Sequence, residues 1–271
     1  MPELPEVETT RLGLAPHVQG QTIRTAVVRN PRLRWPVPRH LAQLVAGRRV
    51  RGLERRGKYL LLDCSGAWLI LHLGMSGSLR LVPADQPPGA YDHVDLVLES
   101  GKALRLRDPR RFGAVLWTAS RPEAHPLLAH LGIEPLSRAL DGAALHALTR
   151  AHRTSIKQFL MDGRRIVGVG NIYASESLFR AGIDPRTRAG RLSRERCARL
   201  ARAIKQTLRA AIRAGGSSLR DFVASDGSRG YFQSRTLVYD RAGKPCRRCG
   251  RPLRRIVQGQ RATFFCASCQ T

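Results

Sequence analysis

Carboxylates are scarce in this 271-residue sequence, where 20 aspartates and glutamates face 47 lysines and arginines for a formal net charge of +27. A chain so short of acid repels itself. Few roles other than binding a polyanion tolerate that, and DNA and RNA are the commonest such partners. Lysine is scarce too: Lys58, Lys102, Lys157, Lys205 and Lys244 are the only five. Arginine therefore carries the charge, and part of that bias reflects genomic base composition. No apolar run approaches the roughly 18 residues of a membrane helix, which excludes a spanning segment. The N-terminus lacks a basic stretch followed by a hydrophobic one, which argues against a signal peptide and points to the cytoplasm, with reduced thiols. Internal repeats and low-complexity tracts are absent. The length leaves room for a sizeable core divided over two or three domains.

Periodicity divides the chain in three. Residues 21–117 alternate as strands do: residues 93–99, a Ser100-Gly101 turn and residues 102–107 predict a hairpin. Tyr59–Cys64 and Trp68–Leu73 are more continuously apolar, as in strands buried in a sandwich. A short helix starting near Pro5 precedes them, with Glu6 and Glu8 complementing its dipole. From about Leu127 the period is helical, predicting helices over 141–150, 155–161, 171–181 and 193–214. Gly215-Gly216 closes the last, and residues 225–230 read as a mobile loop. The remainder, from about Leu237, is too small to fold on its own core and needs a staple.

That staple is legible as C-x2-C-x16-C-x2-C at Cys246, Cys249, Cys266 and Cys269. Each pair offers two thiolates to one ion, and two pairs complete a tetrahedral zinc site with no position left open for catalysis. One structural Zn(2+) is expected; two disulfides are the alternative that a reducing compartment disfavours. Residues 253–265 between the pairs predict a β-hairpin carrying Arg254, Arg255 and Arg261 toward a phosphate backbone. Cys64 and Cys197 lie outside the pattern as buried thiols. The turn Gly168-Val169-Gly170-Asn171 opens a helix, where free amides and the positive dipole end suit a phosphate.

At the other end, Pro2 after Met1 implies removal of the initiator methionine and a free secondary amine. A terminal amine has a pKa near about 8, so much of it is neutral, and it attacks a carbonyl-like carbon to give an iminium, an electron sink. Glu3 beside it can shuttle protons. Most Met-Pro starts carry no such chemistry; the rest of the sequence gives this one its weight.

PELPEVE at Pro2–Glu8, GKYLL at Gly57–Leu61, HLGMSG at His72–Gly77, DPRRFG at Asp108–Gly113, VGVGNIYASE at Val167–Glu176 and the four-cysteine finger occur in that order. Together they closely resemble bacterial formamidopyrimidine-DNA glycosylase, the 8-oxoguanine repair family, over essentially the whole chain. The resemblance implies a multidomain α+β fold: an N-terminal β-sandwich with a leading helix (1–126), a helix–two-turn–helix domain (127–236) and a zinc finger (237–271). It implies Pro2 as the nucleophile at the sugar C1′ and Glu3 as the acid assisting sugar opening and base departure. Lys58 would transfer a proton and contact phosphate near the lesion. Arg261 would grip the phosphates around the flipped nucleotide and take part in the second elimination.

By the same resemblance, Met75, Arg110 and Phe112 fill the hole left by flipping, which otherwise costs a few kcal/mol. Phe112 suits a wedge, Met75 an adaptable filler, and Arg110 a donor to the widowed cytosine. Arg153, Lys157 and Asn171 are phosphate contacts, and the loop 219–231 with Arg220 covers the extruded base. Tyr91 departs from the histidine common in the family, which puts that single contact in doubt. The implied activity is a bifunctional glycosylase and apurinic/apyrimidinic lyase acting as a bacterial monomer on double-stranded DNA with oxidised purines. An endonuclease VIII-type enzyme for oxidised pyrimidines and a non-catalytic zinc DNA-binding protein are the alternatives. Leu4 and the Met75, Arg110, Phe112 set argue against the first.

Overall fold

A computed structural model describes residues 2–216 and 235–271. The expected loop over 219–231 and Arg220 lie outside the described residues. By contact, the described chain forms two compact units: residues 2–129 with 214–216, and residues 130–213 with 235–271.

In the first unit, helix α1 (Leu4–Val18) precedes β1 (Thr22–Val28), α2 (Leu41–Val45), β2 (Arg48–Arg49), β3 (Gly52–Arg56), β4 (Tyr59–Asp63), β5 (Trp68–His72), β6 (Ser78–Pro83), β7 (Asp92–Leu98), β8 (Lys102–Arg107) and β9 (Ala114–Thr118). The strands pair into two antiparallel sheets, of order β2-β1-β7-β8-β6 and β3-β4-β5-β9. Leu60, Leu62, Leu69 and Leu71 of one sheet and Ile23, Leu96, Leu104 and Leu106 of the other share a single core. That is the β-sandwich expected from the alternation. Leu61 and Ile70, partners across the β4–β5 ladder, face the other way and are buried too. This is why these strands read as continuously apolar: α1 packs against β3 and β4.

Helix α1 is longer than the short helix predicted. It continues through Pro16 to Val18 with Leu4, Val7, Leu14 and Val18 buried, because a proline in the last turn removes only one late backbone bond while the apolar face stays covered. The predicted hairpin forms as β7 and β8, with Gly101 at φ 76 in its turn. Inside it, Arg105 donates to both carboxylate oxygens of buried Asp95 at 2.9 and 2.8 Å and to the carbonyls of Gln86 and Pro87. This anchors the loop that ends at Tyr91.

In the second unit, α3 (Gly142–Thr149), α4 (Ile156–Met161), α5 (Asn171–Ala181) and α6 (Arg194–Arg213) lie within two residues of the predicted helices. Asp141 and Ser155 cap α3 and α4 by accepting the amides of Ala144 and Gln158. Gly182 closes α5 at φ 68. The expected finger hairpin is β10 (Arg254–Gln258) paired with β11 (Arg261–Phe265). Its small core of Val238, Leu253 and Phe264 is completed by Phe179 of α5. Glu176, fully buried on α5, accepts the amides of Leu237, Val238 and Tyr239, so the helices and the finger are one packed body.

Candidate catalytic terminus and nucleic-acid interface

Pro2 is buried at the start of α1, and Glu3, 3% exposed, caps the helix. Glu6 Oε2 accepts the Glu3 amide at 2.8 Å. Gly216, at φ 81, lies against Glu6, so close that an added Cβ would meet its Cγ and Oε1 at 3.2 Å. One turn on, Glu8 binds Arg11 at 2.7 Å and Arg55 at 2.8 Å. Burial pushes the Glu8 carboxyl up, but hydrogen bonds and charge from Arg11 and Arg55 outweigh it and hold the group low. Arg55 also donates to the Gly57 carbonyl at 3.1 Å. Gly57, at φ 59, makes the β3–β4 turn that carries Lys58. The helix that follows Pro2 is thus pinned to the strand leading into the turn that carries Lys58.

Two residues near Lys58 were not singled out in the sequence. His72 Nδ1 accepts the Gly74 amide at 3.0 Å, and its ring lies tilted against that of Tyr59, with centroids 4.8 Å apart. Burial, with the charges of Lys58 and Arg34, pushes its pKa down to about 4. The ring is therefore neutral near pH 7, with its proton on Nε2 as a donor. Arg34, exposed, adds a cation whose backbone amide binds the Gly113 carbonyl at 3.1 Å. His72 was inside the quoted HLGMSG motif, whereas nothing in the sequence placed Arg34 near Gly113.

Arg110 and Phe112 come together, and the residues flanking Met75 meet their loop. Phe112 is 42% exposed, and the Arg110 guanidinium lies over its ring at 5.0 Å. Gly74, at φ 62, abuts the Phe112 backbone so closely that a Cβ there would sit 2.4 Å from its carbonyl carbon. Asp108, fully buried, holds the two loops. Its Oδ1 accepts Ser76 Oγ at 3.0 Å and the Arg110 amide at 3.3 Å, and its Oδ2 accepts the Gly113 amide at 2.7 Å. Tyr91, 45% exposed, lies under Arg107, whose guanidinium is 5.4 Å from the ring.

The second unit carries the other expected contacts. Asn171 opens α5 at its Gly170 cap, but its Nδ2 donates to the Ala262 carbonyl at 3.0 Å. Lys157, the other expected phosphate contact, is engaged within the protein. It is buried, and its ammonium donates to the same carbonyl at 3.0 Å and to Thr263 Oγ1 at 2.7 Å. Both side chains fasten β11 beside exposed Arg261. Arg153 is exposed in an open cleft shared with Arg150, Arg188 and Arg191.

The sulphurs of Cys246, Cys249, Cys266 and Cys269 all lie within 4.8 Å of one another. A tetrahedron with Zn–S bonds of about 2.3 Å requires sulphurs roughly 3.8 Å apart. The spacings of 3.5 Å (Cys249–Cys266) and 4.0 Å (Cys246–Cys269) fit it, and no pair is bonded as a disulfide. Burial and the neighbouring sulphurs push the Cys269 thiol up to about 12. A thiolate set this close requires a dication. These residues hold one structural zinc ion.

The chain matches three family models: the formamidopyrimidine-DNA glycosylase N-terminal domain over residues 1–115, the H2TH domain of the same enzymes over 131–223, and the zinc finger found in FPG and IleRS over 243–271. It is 58% identical to the formamidopyrimidine-DNA glycosylase of Syntrophotalea carbinolica and 60% identical to that of Thiobacillus denitrificans, covering all of both proteins and of itself. Among solved structures it matches the MutM (Fpg) protein of Thermus thermophilus, with TM-score 0.89 and 42% identity over 99% of this chain and 98% of that one. It also matches a Lactococcus lactis Fpg variant in complex with Fapy-dG-containing DNA, with TM-score 0.91 and 33% identity over 99% of both chains. With a buried Pro2-Glu3 start, a β-sandwich, an H2TH region and a four-cysteine finger, all matched end to end, the chain belongs to the formamidopyrimidine-DNA glycosylase family.

Proposed function

We propose that this chain excises 8-oxoguanine and formamidopyrimidines from double-stranded DNA through covalent catalysis by Pro2. It is a base-excision repair DNA glycosylase for oxidised purines, and its end-to-end match to curated members of the family carries that reading over the oxidised-pyrimidine and non-catalytic alternatives. The lyase activity is consistent with the same family.

With Met1 removed, the Pro2 nitrogen is a secondary amine at the positive end of α1, which disfavours its protonation. It attacks C1′, the glycosyl bond breaks, and the sugar ring opens as Glu3 supplies a proton. Bonding of a secondary amine to C1′ gives an iminium that is cationic at any pH. The iminium draws electrons from C2′, so that loss of the C2′ proton expels the 3′ phosphate; loss of the C4′ proton then expels the 5′ phosphate, and water hydrolyses the iminium to free Pro2 and the unsaturated sugar, leaving a one-nucleotide gap. Lys58 assists proton transfer, Arg34 adds a second cation to its surroundings, and neutral His72 adds none. Arg261 grips phosphate from a hairpin that Lys157 and Asn171 hold in place. Arg153 and the α5 amides supply further phosphate contacts, as does Tyr91 by its hydroxyl, while Met75, Arg110 and Phe112 occupy the vacated space in the duplex. The bounds 1–126, 127–236 and 237–271 divide these roles into chemistry, backbone grip and finger. Among the described residues no helix is long and apolar enough to cross a membrane, and the relatives are bacterial. A monomer in the cytoplasm, on the nucleoid, is the setting that fits.

Borohydride reduction during turnover of an 8-oxoguanine·cytosine duplex tests the nucleophile. The adduct should map to the peptide that begins with Pro2. A sugar attached to a lysine, or a protein that nicks without ever cross-linking, would overturn the mechanism. Faster release of thymine glycol than of 8-oxoguanine would overturn the substrate assignment.

A further inference from the structure

We infer that Asp108 is a positioning residue for damage recognition. It locks the Met75 loop and the Arg110–Phe112 loop into one preformed wedge before DNA arrives. The inference rests on the reading that these three side chains fill the space left by the flipped base.

Asp108 is fully buried, and among the described residues no cation pairs with it. A buried carboxylate without a counter-ion is costly and persists where several donors converge on it. Here the donors come from both loops: Ser76 Oγ from one, and the amides of Arg110 and Gly113 from the other. Its own carbonyl meets His93 Nε2 at 2.8 Å, which ties the hub to β7. Between Arg110 and Phe112, Arg111 takes φ 57, a left-handed conformation unusual outside glycine. That turn, closed by the carboxylate, stacks Arg110 over Phe112. The Gly74–Phe112 backbone contact leaves no room for the loops to slide past one another. A rigid wedge pays less ordering entropy when it enters the base stack, and it fixes where the Arg110 guanidinium meets the opposing base. An asparagine at 108 fits the same volume but keeps one acceptor, and whichever way it turns its NH2 faces a backbone N–H, so at least one of the three bonds is lost and the hub loosens.

The test uses the full-length, zinc-loaded protein with three variants: Asp108→Asn, Ser76→Ala and Phe112→Ala. Single-turnover excision of 8-oxoguanine is measured opposite cytosine and opposite adenine, beside cleavage of a preformed abasic site. Stopped-flow fluorescence of a 2-aminopurine next to the lesion reports wedge entry. Asp108→Asn should slow excision opposite cytosine about tenfold, as losing one good hydrogen bond to the ordered loops implies. It should also narrow the cytosine-over-adenine ratio and delay the 2-aminopurine rise, while abasic-site cleavage changes little. Ser76→Ala should shift the same readouts in the same direction by less. Since it leaves the amide bonds to Asp108 intact, it carries the test should Asp108→Asn fail to fold. Equal losses on both substrates with an unchanged opposite-base ratio would mean that Asp108 merely stabilises the fold, and the inference falls. If Phe112→Ala leaves excision and the 2-aminopurine signal untouched, the space-filling reading itself fails, and the inference with it.

Discussion

Lys157 and Gly74 show how far single residues could be read. Lys157, just upstream of a glycine-rich turn in a basic chain, is expected as a phosphate contact. It is buried instead, because the finger hairpin returns from more than a hundred residues away to place Ala262 O and Thr263 Oγ1 on its ammonium. Lys157→Met should therefore lower stability by about 1–3 kcal/mol, the cost of leaving buried acceptors unmet. Denaturant titration measures this, and an unchanged midpoint would remove the structural role. Gly74 carries the opposite lesson, since its need for glycine arises from φ 62 and the Phe112 backbone beside it. Gly74→Ala should cost about 1–3 kcal/mol of strain and impair excision more than abasic-site cleavage. The four cysteines were legible because their chemistry depends on local spacing. Arg34, His72 and Asp108 matter through neighbours distant in sequence, which no local pattern records.

Among elements, the β7–β8 hairpin and the finger differ in what holds them. The hairpin encloses Asp95, whose carboxyl burial pushes up but Arg29 and Arg105 pull down more strongly, leaving it below the ordinary aspartate range. Glu8 on α1 is lowered in the same sense. A carboxyl lowered in the folded state contributes stability above its unfolded value of about 4 and loses it as pH falls through the folded one. Thermal midpoints should therefore drop steeply below about pH 4. Asp95→Asn should flatten that dependence and, by leaving Arg105 buried without its partner, cost about 3–5 kcal/mol at neutral pH. The finger has too few apolar residues to fold without its ion. Verified zinc removal should melt β10–β11 in circular dichroism and abolish DNA binding, whereas retained nicking by the metal-free protein would contradict its role. The strands over 59–64, 68–73, 93–99 and 102–107 and the helices from residue 141 on were legible to within a residue or two, because alternation and capping residues act locally, whereas α2 inside the alternating stretch was not foreseen. The length of α1 was not, because its continuation past Pro16 depends on the sheet beneath it.

For the whole molecule the net charge of +27 dominates encounter with DNA. Each phosphate neutralised contributes a slope of about −0.9 in log affinity against log salt. Titration by fluorescence anisotropy should give a steep total slope, and Arg261→Ala should reduce it by about one. An affinity nearly flat between low and physiological salt would remove the electrostatic account. The sequence by itself determined the charge, the four-cysteine cage, the division into a strand-rich and a helical stretch and the motifs that mark the family, since composition, spacing and periodicity are properties of neighbouring residues. Only the tertiary structure decided that Lys157 and Asn171 support a hairpin rather than stand in solvent, that His72 is neutral, and that one buried aspartate joins two loops. Burial and hydrogen-bond partners are set by which distant segments meet, and the chain order alone does not contain that information.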